Sequence, residues 1–87
     1  MAKRIVVRVD VGQIVKNIKS HGWSASTFCR MMERSVSWIS GWKASPPKNL
    51  PSPEEAARMC AILGVDPAEI LTDQLDIDKV AALLEAE

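Results

Sequence analysis

Few side chains in this sequence could do nucleophilic or metal chemistry: one histidine, His21, and two cysteines, Cys29 and Cys60. The cysteines lie 31 residues apart and form no CxxC pair, whereas a zinc site needs about four ligands. A cysteine or serine nucleophile would have to use His21 as its base, and His21 stands at the end of a predicted helix. The dispersed glycines form no phosphate-binding loop. We therefore expect no enzymatic activity, no metal and no cofactor, and two reduced thiols in the core.

The other side chains that could bind a partner are the charged ones. The net charge is zero, from 11 Lys and Arg against 11 Asp and Glu, but the charges are divided unevenly. Residues 1–43 hold eight basic and two acidic side chains, and residues 44–87 hold three basic and nine acidic ones. A strongly basic half of this kind suits a polyanionic partner such as nucleic acid.

Length and composition limit the class of protein. With 87 residues, 47% of them hydrophobic and 25% charged, the chain suits one small folded domain. No apolar run reaches the roughly 18 residues of a membrane span. The apolar start is interrupted by Arg8 and Asp10, unlike a signal peptide. We therefore expect a cytoplasmic protein without a membrane segment.

The first nine residues predict a short β-strand. Alternate residues from Ile5 to Val11 are apolar, which is a period of two. A single strand cannot satisfy its own backbone groups, and no second strand pattern follows. Residues 1–9 therefore either pair with a second copy of the chain, which we favour, or dock as an extended arm.

The rest of the sequence predicts five to six helices. Capping residues precede apolar positions at helical spacing, and Gly22 and Gly64 follow two of the helices. The expected N-caps are Asp10, Ser24, Ser35, Ser52 and Asp66. Residues 10–72 form the main domain, and residues 73–87 carry a final amphipathic helix over 77–86. That helix either covers the core or forms a dimer seam.

Two of these helices, 25–32 and 36–43, are short and joined by about three residues, as in a helix-turn-helix. Cys29 is small enough for the second helix to cross there, and apolar residues brace the crossing: Phe28, Met32, Ile39 and Trp42. Trp42 is expected in the core and Trp23 at the elbow after the first helix. Trp38 either lies outside as a contact residue or closes over the core.

Residues 23–43 resemble the Cro/repressor-type (XRE-like) helix-turn-helix family. Phe28-Cys29 stands where that family has Leu-Ala, and Ile39–Lys43 resembles the Ile-Ser-x-Trp-Lys pattern of many bacterial and prophage regulators. The likeness covers about residues 10–72, since residues 50–71 are similar to the family's fourth and fifth helices. The chain departs from the family at Glu33, where a glycine is usual, and at two other positions: Arg34 for an apolar residue and Ala25 for a glutamine.

The resemblance implies an all-α repressor-like domain, here with a short N-terminal β-strand, whose helix after Ser35 enters the major groove of DNA. The implied outward positions on that helix carry few strong base readers, so specificity would be modest or would use shape and water. The expected DNA contacts, to bases and phosphates together, are Ser24, Ser26, Arg34, Ser35, Val36, Ser37, Trp38, Ser40, Gly41, Lys43 and Lys48.

These expectations describe a sequence-specific, double-stranded DNA-binding transcriptional regulator of repressor type. A homodimer is expected, because two half-sites multiply the affinity of a small module. The alternative is a protein-interaction module that kept the fold and contacts a partner through Trp38 and Val36 or through the terminal strand. A third hypothesis is an antitoxin that neutralises a toxin while its helix-turn-helix represses the operon.

Overall fold

A computed structural model describes residues 5–86; residues 1–4 of the predicted arm and residue 87 of the predicted tail lie outside the described residues. The described part of the chain is mostly helical and contains no β-sheet, which confirms the all-α expectation. Its six helices are α1 (Val11–Ser20), α2 (Ala25–Met31), α3 (Ser37–Trp42), α4 (Pro53–Leu63), α5 (Pro67–Ile70) and α6 (Gln74–Glu85).

Local capping bonds start three of these six helices where the sequence predicts. The first N–H groups of a helix have no partner within it, so nearby side-chain oxygens accept from them. Asp10 accepts from the third residue of α1 at 3.2 Å, and Ser24 does the same for α2 at 3.2 Å. At α4, Ser52 and Glu55 bond each other's backbone N–H groups at 3.2 and 3.1 Å. These contacts confirm three of the predicted caps.

Two helix starts differ from the prediction. Ser35 does not cap α3, because its hydroxyl shares a 2.7 Å hydrogen bond with that of Ser37. Val36 occupies the N-cap position instead and makes no capping bond. The last helix begins three residues earlier than predicted, because the Asp73 carboxylate accepts from the N–H of Leu75 at 2.8 Å.

The N-terminal segment docks on its own chain as an extended arm. The Val7 N–H donates to the Pro51 carbonyl at 2.9 Å, and the Asp10 N–H donates to the Ile70 carbonyl at 2.8 Å. Between them, Val9 makes one isolated antiparallel β-bridge. This segment is therefore an extended arm docked on its own chain, the second of the two arrangements predicted for it. The physical reason is that Val7 is fully buried in the core and holds the arm against the domain.

One core joins all the helices. The helix α4 packs most extensively against α6, α5 contacts α1, α4 and α6, and α2 contacts α1 and α3. The tail helix covers this core, since Val80 is fully buried. The buried apolar residues are Val7, Ile14, Ile18, Phe28, Cys29, Met32, Trp38, Ile39, Trp42, Ala56, Met59, Cys60, Leu63, Ile70, Leu71 and Val80.

Candidate nucleic-acid interface

The connection between α2 and α3 reverses the chain at Glu33. This residue has a φ of 58°, in the left-handed region that normally favours glycine. The next residue, Arg34, donates its N–H to the Cys29 carbonyl at 2.8 Å, which closes the end of α2. The buried Cys29 thiol lies against the backbone of Ile39 on α3. Burial raises the pKa of this thiol, and the hydrogen bond with Ile39 partly opposes that rise. The small residue expected where the helices cross is therefore in place.

Small side chains form the outer surface of α3. Val36, at the N-cap, is 54% exposed, and Ser37 and Ser40 are also exposed. Lys43 follows the last residue of α3 and is exposed as well. This surface offers hydroxyl groups that donate and accept, one apolar side chain and a terminal cation.

Trp38 is not part of that surface. Its side chain is 4% exposed and packs edge-on against Trp42, with 4.7 Å between ring centroids and 67° between ring planes. The Trp42 indole N–H donates to the Asn49 carbonyl at 3.0 Å. The Trp38 indole N–H is buried and has no hydrogen-bond partner among the described residues. The prediction of Trp38 as an outward contact residue is therefore corrected, and Trp38 closes over the core.

Gly41 is half-buried and its Cα faces the loop after α3. A Cβ atom built on Gly41 would lie 2.9 Å from the Lys48 carbonyl oxygen, and the Lys48 N–H donates to the Gly41 carbonyl at 2.8 Å. The missing side chain therefore lets the loop approach α3 closely. Gly41 is corrected from an outward position to a packing position, and its contact holds Lys48 next to the exposed Lys43 end of α3.

Arg34 is already engaged within the protein. Its guanidinium forms an ion pair with the Glu55 carboxylate, with Nε donating at 2.8 Å, and it lies 5.3 Å above the Trp38 ring. A phosphate at this position would compete with Glu55. In contrast, the exposed Lys43 and Lys48 form no ion pair with another described residue.

The two serines at the start of α2 have different surroundings. The Ser24 hydroxyl accepts the Thr27 N–H and shares a 3.0 Å hydrogen bond with the Thr27 hydroxyl. The Ser26 side chain is exposed, and no hydrogen bond to it is found within residues 5–86. The structure therefore leaves Ser26 more available to a partner than Ser24.

Asn49 also lies near the interface, although the sequence did not predict it as a contact residue. A polar depression of about 330 Å³ lies at the start of α3, and the exposed Asn49 is one of its lining residues. The other lining residues are Glu33, Arg34, Ser35, Ser37 and Trp38. Asn49 has a φ of 59°. In the sequence, the feature that indicates Asn49 as a possible contact residue is its position directly after Lys48, a predicted contact. Its amide could donate to and accept from a bound group.

The two thiols lie inside the core and not at this interface. Burial and, to a smaller extent, the nearby carboxylates of Asp66 and Glu69 together raise the pKa of the Cys60 thiol to about 11. Within residues 5–86, no three His, Cys, Asp or Glu residues lie together in a way that could hold a metal ion. No helix in the same part of the chain is long and apolar enough to cross a membrane.

Comparisons with known proteins give no relative on which to rest an assignment. No protein-family model matches the chain, and no curated protein or solved structure matches it significantly. The arrangement of α2, α3 and the loop that follows them is therefore the feature that bears on function.

Proposed function

We propose that this protein binds double-stranded DNA as a transcriptional regulator of repressor type, with α2 and α3 acting as a helix-turn-helix. One observation carries the proposal: α3 and its N-cap present Ser37, Ser40 and Val36 outward, and α3 ends beside two exposed lysines, Lys43 and Lys48, that form no ion pair with another described residue. Short polar side chains let a helix lie deep in the major groove, and lysines at its end neutralise phosphates.

The distribution of charge supports this orientation. Residues 24–50 carry four basic side chains and one acid, whereas residues 51–86 carry two basic side chains and eight acids. The potential around the candidate interface is therefore more positive than around α4 to α6. The distal acids oppose long-range attraction to DNA, so we expect weak non-specific binding with the contacts focused near α3.

The side chains on α3 also define how the groove would be read. Ser37 and Ser40 can donate to or accept from several base edges, and Val36 can contact a thymine methyl group. Arginine, asparagine and glutamine, the strongest base readers, are absent from this surface of α3. We therefore propose modest direct readout, supplemented by DNA shape and bridging water.

Salt-dependent DNA binding tests the proposal. Fluorescence anisotropy should detect binding to duplexes selected from a random library at about 50 mM salt and a loss of affinity as salt rises. Lys43→Ala and Lys48→Ala should each weaken binding to all duplexes and reduce the log–log salt slope by about one unit. Lys16→Ala, an exposed lysine on α1, is the matched control and should leave the slope unchanged.

Two results would contradict this function. One is the absence of any binding at about 50 mM salt, where phosphate contacts are strongest. The other is an equal loss of affinity in the Lys16→Ala control, which would indicate a general charge effect. The burial of Trp38 removes one expected contact residue both from this proposal and from the alternative of a protein-interaction module.

A further inference from the structure

A depression of about 470 Å³ lies where the N-terminal arm passes the end of α3 and the loop after it. Its lining residues are Arg8, Val9, Trp42, Pro47, Leu50 and Thr72. Arg8 is the only charged residue among them, and the others are apolar except for Thr72. The depression therefore combines one cation and one hydroxyl group with apolar walls, and none of its lining residues is an acid that would repel an anion.

The arm holds Arg8 at this depression through its backbone. The preceding residue, Val7, is fully buried and donates its N–H to the Pro51 carbonyl at 2.9 Å. The Arg8 N–H donates to a carboxylate oxygen of Asp76 at 3.1 Å. In contrast, the Arg8 side chain is exposed and forms no ion pair or hydrogen bond with another described residue. The backbone of Arg8 is thus anchored, while its guanidinium is available to a partner.

Thr72 places a second hydrogen-bond donor at the same depression. Its side chain is exposed, and no hydrogen bond to its hydroxyl is found within residues 5–86. Thr72 directly follows Leu71, whose β-bridge with Val9 joins this part of the chain to the arm. Guanidinium and hydroxyl groups both donate to phosphate oxygens, and apolar walls let the carbon atoms of a sugar ring pack closely. This combination suits a sugar–phosphate unit.

The depression borders the proposed DNA interface. Trp42, which lines it, directly precedes Lys43. Pro47, which also lines it, directly precedes Lys48. Neighbouring Cα atoms are about 3.8 Å apart, so Arg8 lies beside the same loop that carries both lysines. Three cations without an ion pair among the described residues therefore surround one loop.

We propose that this depression holds one deoxyribose–phosphate unit of the DNA strand that Lys43 and Lys48 contact. The Arg8 guanidinium and the Thr72 hydroxyl donate to its phosphate, and its sugar packs against Pro47. The proposal rests on the proposed DNA binding and adds to it a phosphate contact supplied by the N-terminal arm. Because phosphate contacts carry no base information, this contact strengthens binding and orients the protein on the duplex without selecting a sequence.

Two substitutions separate the charge of this contact from its hydrogen bond. Arg8→Ala removes a cation, so fluorescence anisotropy should show about tenfold weaker duplex binding at about 50 mM salt and a log–log salt slope smaller by about one unit. Thr72→Val keeps the size and charge of the side chain, so it should weaken binding about threefold and leave the slope unchanged. Lys16→Ala on α1 is the control and should change neither quantity. Circular dichroism of each variant checks that it is folded.

A methylphosphonate scan of the duplex tests whether Arg8 contacts one particular phosphate. Each methylphosphonate removes the charge of a single phosphate. At one position the wild-type chain should lose about tenfold in affinity, whereas Arg8→Ala should lose no more there, because both changes break the same contact. Lys43→Ala should still lose affinity at that position, since Lys43 contacts a different phosphate.

The outcomes distinguish this contact from the DNA binding on which it rests. A wild-type slope in Arg8→Ala beside a smaller slope in Lys43→Ala would overturn the contact and leave the DNA binding in place. The same holds if no methylphosphonate position is silent in Arg8→Ala alone. Saturable binding of thymidine monophosphate that Arg8→Ala abolishes, with an unchanged DNA slope, would assign the depression to a free nucleotide and overturn the proposal. A wild-type chain that binds no duplex would overturn both.

Discussion

The two buried tryptophans provide a matched test of the core next to α3. Trp38 and Trp42 are 4% and 3% exposed and pack against each other. Only the Trp42 indole N–H has an acceptor, the Asn49 carbonyl at 3.0 Å, whereas that of Trp38 is buried without a partner among the described residues. Trp38→Phe and Trp42→Phe therefore remove the same atoms from sites of nearly equal burial but differ in hydrogen bonding.

The difference between the two variants can be estimated. Trp42→Phe loses a hydrogen bond with a net contribution of about 1 kcal/mol to the free energy of unfolding. Trp38→Phe removes an unpaired N–H, which relieves a desolvation penalty of about 1–3 kcal/mol. The free energy lost through poorer packing is similar in the two variants, so it largely cancels in the difference between them. The Arg34 guanidinium, 5.3 Å above the Trp38 ring, contributes an opposing change of roughly 0.5 kcal/mol. We expect Trp42→Phe to be the more destabilising by about 2 kcal/mol.

Urea denaturation followed by far-UV circular dichroism measures this difference. The m-values of both variants should equal that of the wild type, so that a change in midpoint reports stability. A difference of about 2 kcal/mol corresponds to about 8–16 °C in Tm for a domain of this size. If Trp38→Phe destabilises the protein as much as Trp42→Phe, the indole N–H of Trp38 has an acceptor and the reasoning is refuted.

Three further comparisons test other contacts. Gly41→Ala should lower Tm by an amount equivalent to about 1–3 kcal/mol, because its Cβ would lie 2.9 Å from a loop carbonyl oxygen; Gly12→Ala, with 3.6 Å to its nearest neighbour, should not. Ser52→Ala should cost about 1 kcal/mol in urea titrations, whereas Asp66→Ala should change stability by less than about 0.5 kcal/mol because Asp66 makes no capping bond. Stability should fall as pH rises from 9.0 to about 11, since the Cys60 thiol ionises first in the unfolded chain; an unchanged pH slope in Cys60→Ala would contradict this.

Most of the local structure follows from the sequence. The caps at Asp10, Ser24 and Ser52 act through hydrogen bonds that span three residues, so neighbouring residues are enough to predict them. Gly64, with a φ of 68°, ends α4 for an equally local reason. Helical spacing also identifies the buried stripes, because side chains three and four residues apart share a face of a helix. The prediction of Ser35 as the cap of α3 and the predicted start of α6 were wrong, since several nearby polar side chains compete for the same backbone groups.

Tertiary structure decides which candidate site residues are available. Arg34 is paired with Glu55, 21 residues away, and the Arg8 N–H donates to a carboxylate oxygen of Asp76, 68 residues away. The burial of Trp38 likewise depends on the packing of α3 against the core. Residue type and spacing determine which side chains could bind a polyanion and which helices carry them. Whether a given side chain faces solvent or its own protein depends on contacts between distant segments, which local sequence does not contain.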